Sequence, residues 1–237
     1  MSKGRCLGLM GGLGVGATIH YYRELALAHA ARSRTLDIVI THLETSRVFA
    51  YVQAADPEGM AAYLNPYLHR LKAAGAELAV IPAVTPLYCT RELAAISPLP
   101  LINMVHAIAA ELAVRSARRV AIFGTRYVIE SGFYGLLEHV ECIRPEPGEI
   151  DSIHAIYEEL LRDGRGSEQQ HHTLTALAQT LRARDAVDII LIAGTDLSLI
   201  FNESNTPFPH LDCAAVHLAA ITRALLDDPP PNHPSPH

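Results

Sequence analysis

Tryptophan is absent from this 237-residue sequence, and cysteine occurs only four times. Cys6, Cys89, Cys142 and Cys213 show no C-x-x-C spacing, which argues against both a zinc site and a disulfide scaffold. They read as reduced thiols. No apolar run approaches the length of a membrane span, and no charged stretch leads into a continuous apolar segment with a cleavage site. The expectation is a cytoplasmic protein with no membrane partner. Basic clusters are also missing, and a formal charge of −6 with a pI near 6.1 argues against nucleic acid as a partner. The 13 histidines invite a metal, yet His171 and His172 fall at a polar helix start, His233 and His237 in the tail, and no H-E-x-x-H spacing occurs. No metal and no cofactor are expected.

What is present is ample apolar content, 49 % of residues, enough for a substantial core. Two stretches organise it. Residues 78–90 are an apolar run entering a small, proline-marked turn, and residues 187–198 repeat the pattern, each with aliphatic residues, a small residue and then Thr85 or Thr195. Both read as buried parallel strands delivering a loop at the carboxyl end, where open α/β sheets bind ligands. One pocket built from two similar halves follows.

Around these the chain alternates. Residues 5–10 read as a strand, and the glycine-rich turn Gly11 to Gly16 leads to a helix beginning near Ala17; the spacing does not fit a dinucleotide loop, and a tight turn bringing backbone close to the pocket is the plainer reading. Residues 36–43 read as a second strand followed by a loop carrying Arg47. The guanidinium fork suits a carboxylate, although a solvated loop arginine fits equally. Helices are expected at 57–75, 90–96, 106–116, 131–139, 151–162, 168–184 and 213–226, with strands at 119–124 and within 138–143. Thr125 and Tyr127 offer hydroxyls at a strand end, with a helix cap the alternative for Thr125. Residues 199–211 read as a polar loop and 227–237 as a disordered tail.

Gly11-Gly12-Leu13-Gly14-Val15-Gly16-Ala17-Thr18 with Tyr21-Tyr22, Thr85, Phe123-Gly124-Thr125-Arg126-Tyr127, Ile156-Tyr157-Glu158-Glu159-Leu160, Gly194-Thr195-Asp196-Leu197, and Asp212 with His217 occur in one order along nearly the whole chain. Together they resemble the aspartate/glutamate racemase family. The resemblance implies two pseudo-symmetric α/β lobes, each a mostly parallel sheet flanked by helices, with a cleft between them and a homodimeric assembly. Residues 1–98 plus 207–228 would form one lobe, 99–206 the other, and 229–237 the tail.

The family's cofactor-independent racemases place one cysteine in a Cys-Asn-Thr turn and another in a Gly-Cys-Thr-Glu turn. The matching positions here read Ala83-Val84-Thr85 and Gly194-Thr195-Asp196. Neither carries a thiol. General acid/base groups contribute about 10²–10⁴-fold, so losing both withdraws the mechanism while leaving the pocket. Conceivable replacements are Asp196, Tyr127, His106, Cys89 and Cys213; Asp196 and Tyr127 are the catalytic candidates. The resemblance makes Gly12, Arg47, Ala83, Val84, Thr85, Thr125, Gly194 and Thr195 the substrate-binding set, together with Arg162 or Arg165 for a distal carboxylate.

Three functions remain open. One is a divergent enzyme performing cyclisation, elimination or isomerisation on a small carboxylate or amino-acid-like ligand. Another is a non-catalytic ligand- or partner-binding protein, and the third a racemase with substitute bases. The apolar Ala83, Val84, Pro86 and Leu87 favour a substrate less polar than free aspartate.

Overall fold

The structure is a computed structural model that describes residues 4–226, so the segments expected as tail lie outside the described residues. In chain order it contains β1 (Leu7–Gly11), α1 (Val15–Ala31), β2 (Ile38–His42), α2 (Thr45–Gln53), α3 (Pro57–Ala73), β3 (Leu78–Val80), α4 (Thr90–Ile96) and α5 (Met104–Val114). There follow β4 (Arg119–Phe123), α6 (Arg126–Glu130), β5 (Glu141–Ile143), α7 (Pro147–Asp163), α8 (Glu168–Asp185), β6 (Ile189–Ile192), β7 (His210–Asp212) and α9 (Cys213–Leu226).

These make an α/β fold with two parallel sheets flanked by helices, ordered β2-β1-β3 and β5-β4-β6-β7. Leu101 adds a parallel bridge beside Ala79 at the edge of the first sheet. The runs expected as buried strands are buried throughout, β3 and β6 being fully enclosed as parallel strands covered on both faces must be. Each then enters a five-residue 3₁₀ turn beginning on threonine, Thr85–Cys89 and Thr195–Leu199.

Separate apolar clusters cover the two faces of the first sheet, whereas one cluster surrounds the second. Val84 and Leu87, from the first sheet's turn, belong to the second sheet's cluster. The two sheets are thus joined at the turns they deliver. Helix α9 packs on α1 and α5.

Several local expectations change. The segment carrying Arg47 is helix α2, not a loop. The helix expected at 131–139 does not form: α6 begins at Arg126, with Thr125 as its N-cap, and the chain turns left-handed through Gly132, Phe133, Tyr134 and Gly135. Two glycines admit that turn readily, and burial of Phe133 together with packing of Tyr134 on Tyr88 holds the two aromatic residues in it. The polar loop ends in β7, which pairs with β6, so this part of the segment assigned from sequence to the first lobe is hydrogen-bonded to the second sheet. A three-residue strand beside prolines carries almost no alternation to read. Among the described residues no helix is long and apolar enough to cross a membrane, and no group of three or more His, Cys, Asp or Glu is placed to hold a metal.

Candidate active site

Beside the 3₁₀ turn that follows β3, Leu13, Thr45, Val48, Phe49, Ala83, Val84, Thr85, Tyr157 and Leu161 enclose a cavity of about 20 Å³. That is room for about one water molecule. The wall from the first sheet carries no ionisable group. The opposite wall is Tyr157, projected from α7, whose start is set by Pro147 at its first turn and a reciprocal Glu146–Glu149 cap.

Tyr157 lies directly over Gly194. A Cβ at position 194 would run into the ring, colliding with Cε2 and sitting 2.9 Å from Cδ2. Glycine here is therefore a packing requirement: the tyrosine ring occupies the space a side chain would use. Its hydroxyl donates to Asp196 Oδ2 at 3.3 Å. Burial, and then the carboxylate beside it, push the phenol well above its usual range.

Asp196 is 2 % exposed. Desolvation lifts its carboxyl to about 6, although the Tyr157 hydroxyl and the amides of Ala17 and of Asp196 itself favour the charged form. The glycine-rich turn makes room for it. A Cβ at Gly14, where φ is 113°, would lie 2.6 Å from Oδ2, and one at Gly16 would lie 3.2 Å from Oδ1. Asp196 thus reaches across from the second sheet to the first turn of α1, whose N–H groups and dipole favour a negative charge.

Gly12 has φ 91°, and a Cβ there would strike the backbone of Leu43. Its N–H donates to Thr18 Oγ1 at 3.0 Å, and its carbonyl accepts from Thr45 Oγ1 at 2.7 Å. The turn is thereby tied to α2, which supplies Thr45, Val48 and Phe49 to the cavity.

The other sequence candidates separate by position. Thr195 is buried and hydrogen-bonds toward Tyr157. Thr125 is buried, and its hydroxyl accepts from the Val128 N–H as a helix cap. Tyr127 is half-buried in the first turn of α6 and does not line the cavity. Arg47 stacks 4.6 Å over the Tyr63 ring and does not line the cavity either. Arg162 is exposed and pairs with Asp163 at 3.1 Å, and Arg165 is exposed in the following loop. His106 is exposed at the start of α5. Cys89 is buried with its thiol pushed up to about 12 by burial and then by Glu92, and its Sγ donates to the Pro86 carbonyl. Burial and then Asp212 raise the Cys213 thiol. Both sulfurs are held protonated, unlike an activated thiolate.

Tyr157 and Thr45 are the polar lining residues that sequence reasoning missed, along with the apolar Leu13, Val48, Phe49 and Leu161. Tyr157 stood inside a noted motif, but its role follows from the docking of α7 over Gly194, which no local pattern encodes. Thr45 had no signal beyond lying in the strand-end segment.

A family model described as Asp/Glu/Hydantoin racemase matches residues 10–221. Among solved structures, a protein from Yersinia pestis provisionally described as an Asp/Glu racemase is 26 % identical with a TM-score of 0.80, covering 94 % of this chain and 100 % of that one. An aspartate racemase homologue from Pyrococcus horikoshii OT3 is 21 % identical with a TM-score of 0.77, covering 93 % of this chain and 99 % of that one. Glutamate racemase isoform RacE1 from Bacillus anthracis is 15 % identical with a TM-score of 0.64, covering 95 % of this chain and 82 % of that one. The last two likenesses concern the fold.

Proposed function

The chain belongs to the Asp/Glu/hydantoin racemase family, and from that premise we propose that it is a divergent enzyme performing one-sided proton chemistry on a small carboxylate or amino-acid-derived substrate. The observation that carries this reading is the buried Tyr157–Asp196 pair facing a wall of Ala83, Val84 and Thr85. Racemisation by two bases needs a proton acceptor on each face of the substrate carbon. Here only one face has an acid/base group. Cyclisation, elimination and isomerisation each run with a proton handled on one side.

In this mechanism Tyr157 is the group that meets substrate, since it lines the cavity and Asp196 lies behind it. The Tyr157 oxygen accepts the substrate proton as it passes its own to Asp196, and the reverse transfer delivers a proton. A carboxyl near 6 matches such a relay to neutral pH, where proton transfer in either direction is inexpensive. With the Ala83 N–H donating to the Ile81 carbonyl, the backbone amides of Val84, Thr85, Gly194 and Thr195 are the donors this reading assigns to the substrate carboxylate. The 20 Å³ cavity is too small for an amino acid, so the lobes part to admit substrate and close over it.

The reading treats Ala83 and Gly194 as standing where the family's racemases carry their cysteines, and includes no cofactor, a cytoplasmic location and a homodimer. Burial of Cys89 and Cys213 weighs against a racemase with substitute thiols. The closed cavity favours a second reading, ligand binding without turnover. Measuring α-proton exchange in deuterated water across amino acids and small carboxylates separates them. We expect exchange on at least one compound, lowered about 10²–10⁴-fold by Tyr157→Phe and by Asp196→Asn. Binding without exchange on the whole panel would leave the second reading in its place.

A further inference from the structure

A larger cavity of about 240 Å³ opens beside the interlobe site, between α4 and the stretch 97–106, against β3. Ala83 lines both, so the two cavities share a wall residue. Ile81, Leu87, Leu93, Leu101 and Met104 form its apolar walls, and no Lys, Arg, Asp or Glu lines it.

Its buried polar groups are already engaged, and the exposed His106 at its edge is, among the described residues, the one imidazole of the lining without a hydrogen bond. Asn103 donates to Thr90 Oγ1 at 3.1 Å and accepts the Val105 N–H at 2.8 Å. His217 is 1 % exposed, with Nε2 2.9 Å from the Ile102 carbonyl and Nδ1 3.2 Å from the Tyr21 hydroxyl. A carbonyl can only accept, so Nε2 carries the proton and Nδ1 accepts from Tyr21. The ring is satisfied and neutral. A charged guest would find no Lys, Arg, Asp or Glu in the lining and, outside the engaged groups, only the exposed His106 ring at the edge, whereas an uncharged apolar group needs none of these. The volume exceeds the roughly 150 Å³ apolar cavity known to hold benzene.

We infer that this cavity receives the uncharged, apolar side group of the substrate whose carboxylate is held at the interlobe site. The inference rests on the enzyme reading for the location of the carboxylate, and it names the class: acids with aliphatic or aromatic side groups, not dicarboxylates. The arginines suited to a second carboxylate lie elsewhere, Arg47 on Tyr63 and Arg162 on Asp163.

The test is calorimetric titration of the full chain with alanine, norvaline, norleucine, aspartate and glutamate in both configurations. Affinity should rise on the order of fourfold per methylene from alanine to norleucine, with both dicarboxylates weaker than norleucine. Ala94, exposed on α4 at the cavity mouth, allows filling from the surface: Ala94→Phe should remove the gain and Ala94→Leu reduce it, with folding checked by circular dichroism. Affinity independent of chain length, tighter binding of the dicarboxylates, no binding by any compound, or no effect of Ala94→Phe would each overturn the inference. So would a change in oligomeric mass in Ala94→Phe as its only effect, which would mark this face as a contact between copies. Proton exchange is read separately. A chain-length dependence without exchange upholds the cavity and rejects the proton chemistry; exchange with a flat dependence does the reverse.

Discussion

Asp196 and His217 titrate in opposite senses. Asp196 moves from the ordinary 3.8 to about 6 through burial, so between those values the folded protein keeps a proton that the unfolded chain has released. Its contribution to stability falls as pH rises through that window. His217, also buried, moves from 6.5 to about 4, and there the unfolded chain holds a proton that the folded one lacks. Its contribution rises with pH over the same range. Each amounts to about 3 kcal/mol at full development. Urea denaturation from pH 4 to 6.5 should therefore show a more positive slope of stability against pH in Asp196→Asn than in the parent, and a more negative slope in His217→Gln. Identical slopes would mean that these groups do not titrate as their burial dictates. Gly194 offers a second residue-scale check. Gly194→Ala drives a methyl into the Tyr157 ring, and overpacking of this kind costs about 1–3 kcal/mol. A stability loss of that size in urea melts is expected; a neutral substitution would show that the ring is free to move away.

At the scale of elements, Arg47 belongs to α2 and stacks on Tyr63 of α3, so it ties two helices together. Arg47→Ala should cost under about 1 kcal/mol of stability, the usual size of an exposed cation–π contact, and should leave ligand affinity within twofold. A tenfold loss of affinity would return it to the site. Helices at 90–96 and 213–226 and the strands feeding both turns were legible, because apolar runs, proline and capping residues act over a few positions. The segment 131–139 was not. Its residues permit a helix, and the left-handed turn is held by contacts of Phe133 and Tyr134 with residues distant in sequence.

For the whole molecule, the sheets share more than a covalent link. Val84 and Leu87 enter the second sheet's core, Asp196 approaches the start of α1, and α9 packs against α1 and α5. One cooperative transition is expected, with tyrosine fluorescence and far-ultraviolet circular dichroism coinciding in urea. Separated midpoints would show that the lobes unfold independently. The α/β alternation, the paired strand-turn units and the family were determined by the sequence alone, because hydrophobic period and turn chemistry are written residue by residue. That positions 83 and 194 carry no ionisable side chain is visible there too. Only the tertiary structure decided that Tyr157 covers Gly194, that Asp196 sits against the glycine-rich turn, and that Arg47, Arg162 and Arg165 lie outside the cavity lining. Those facts depend on how helices from one half settle against turns from the other, and burial, hydrogen bonding and pKa follow from that docking.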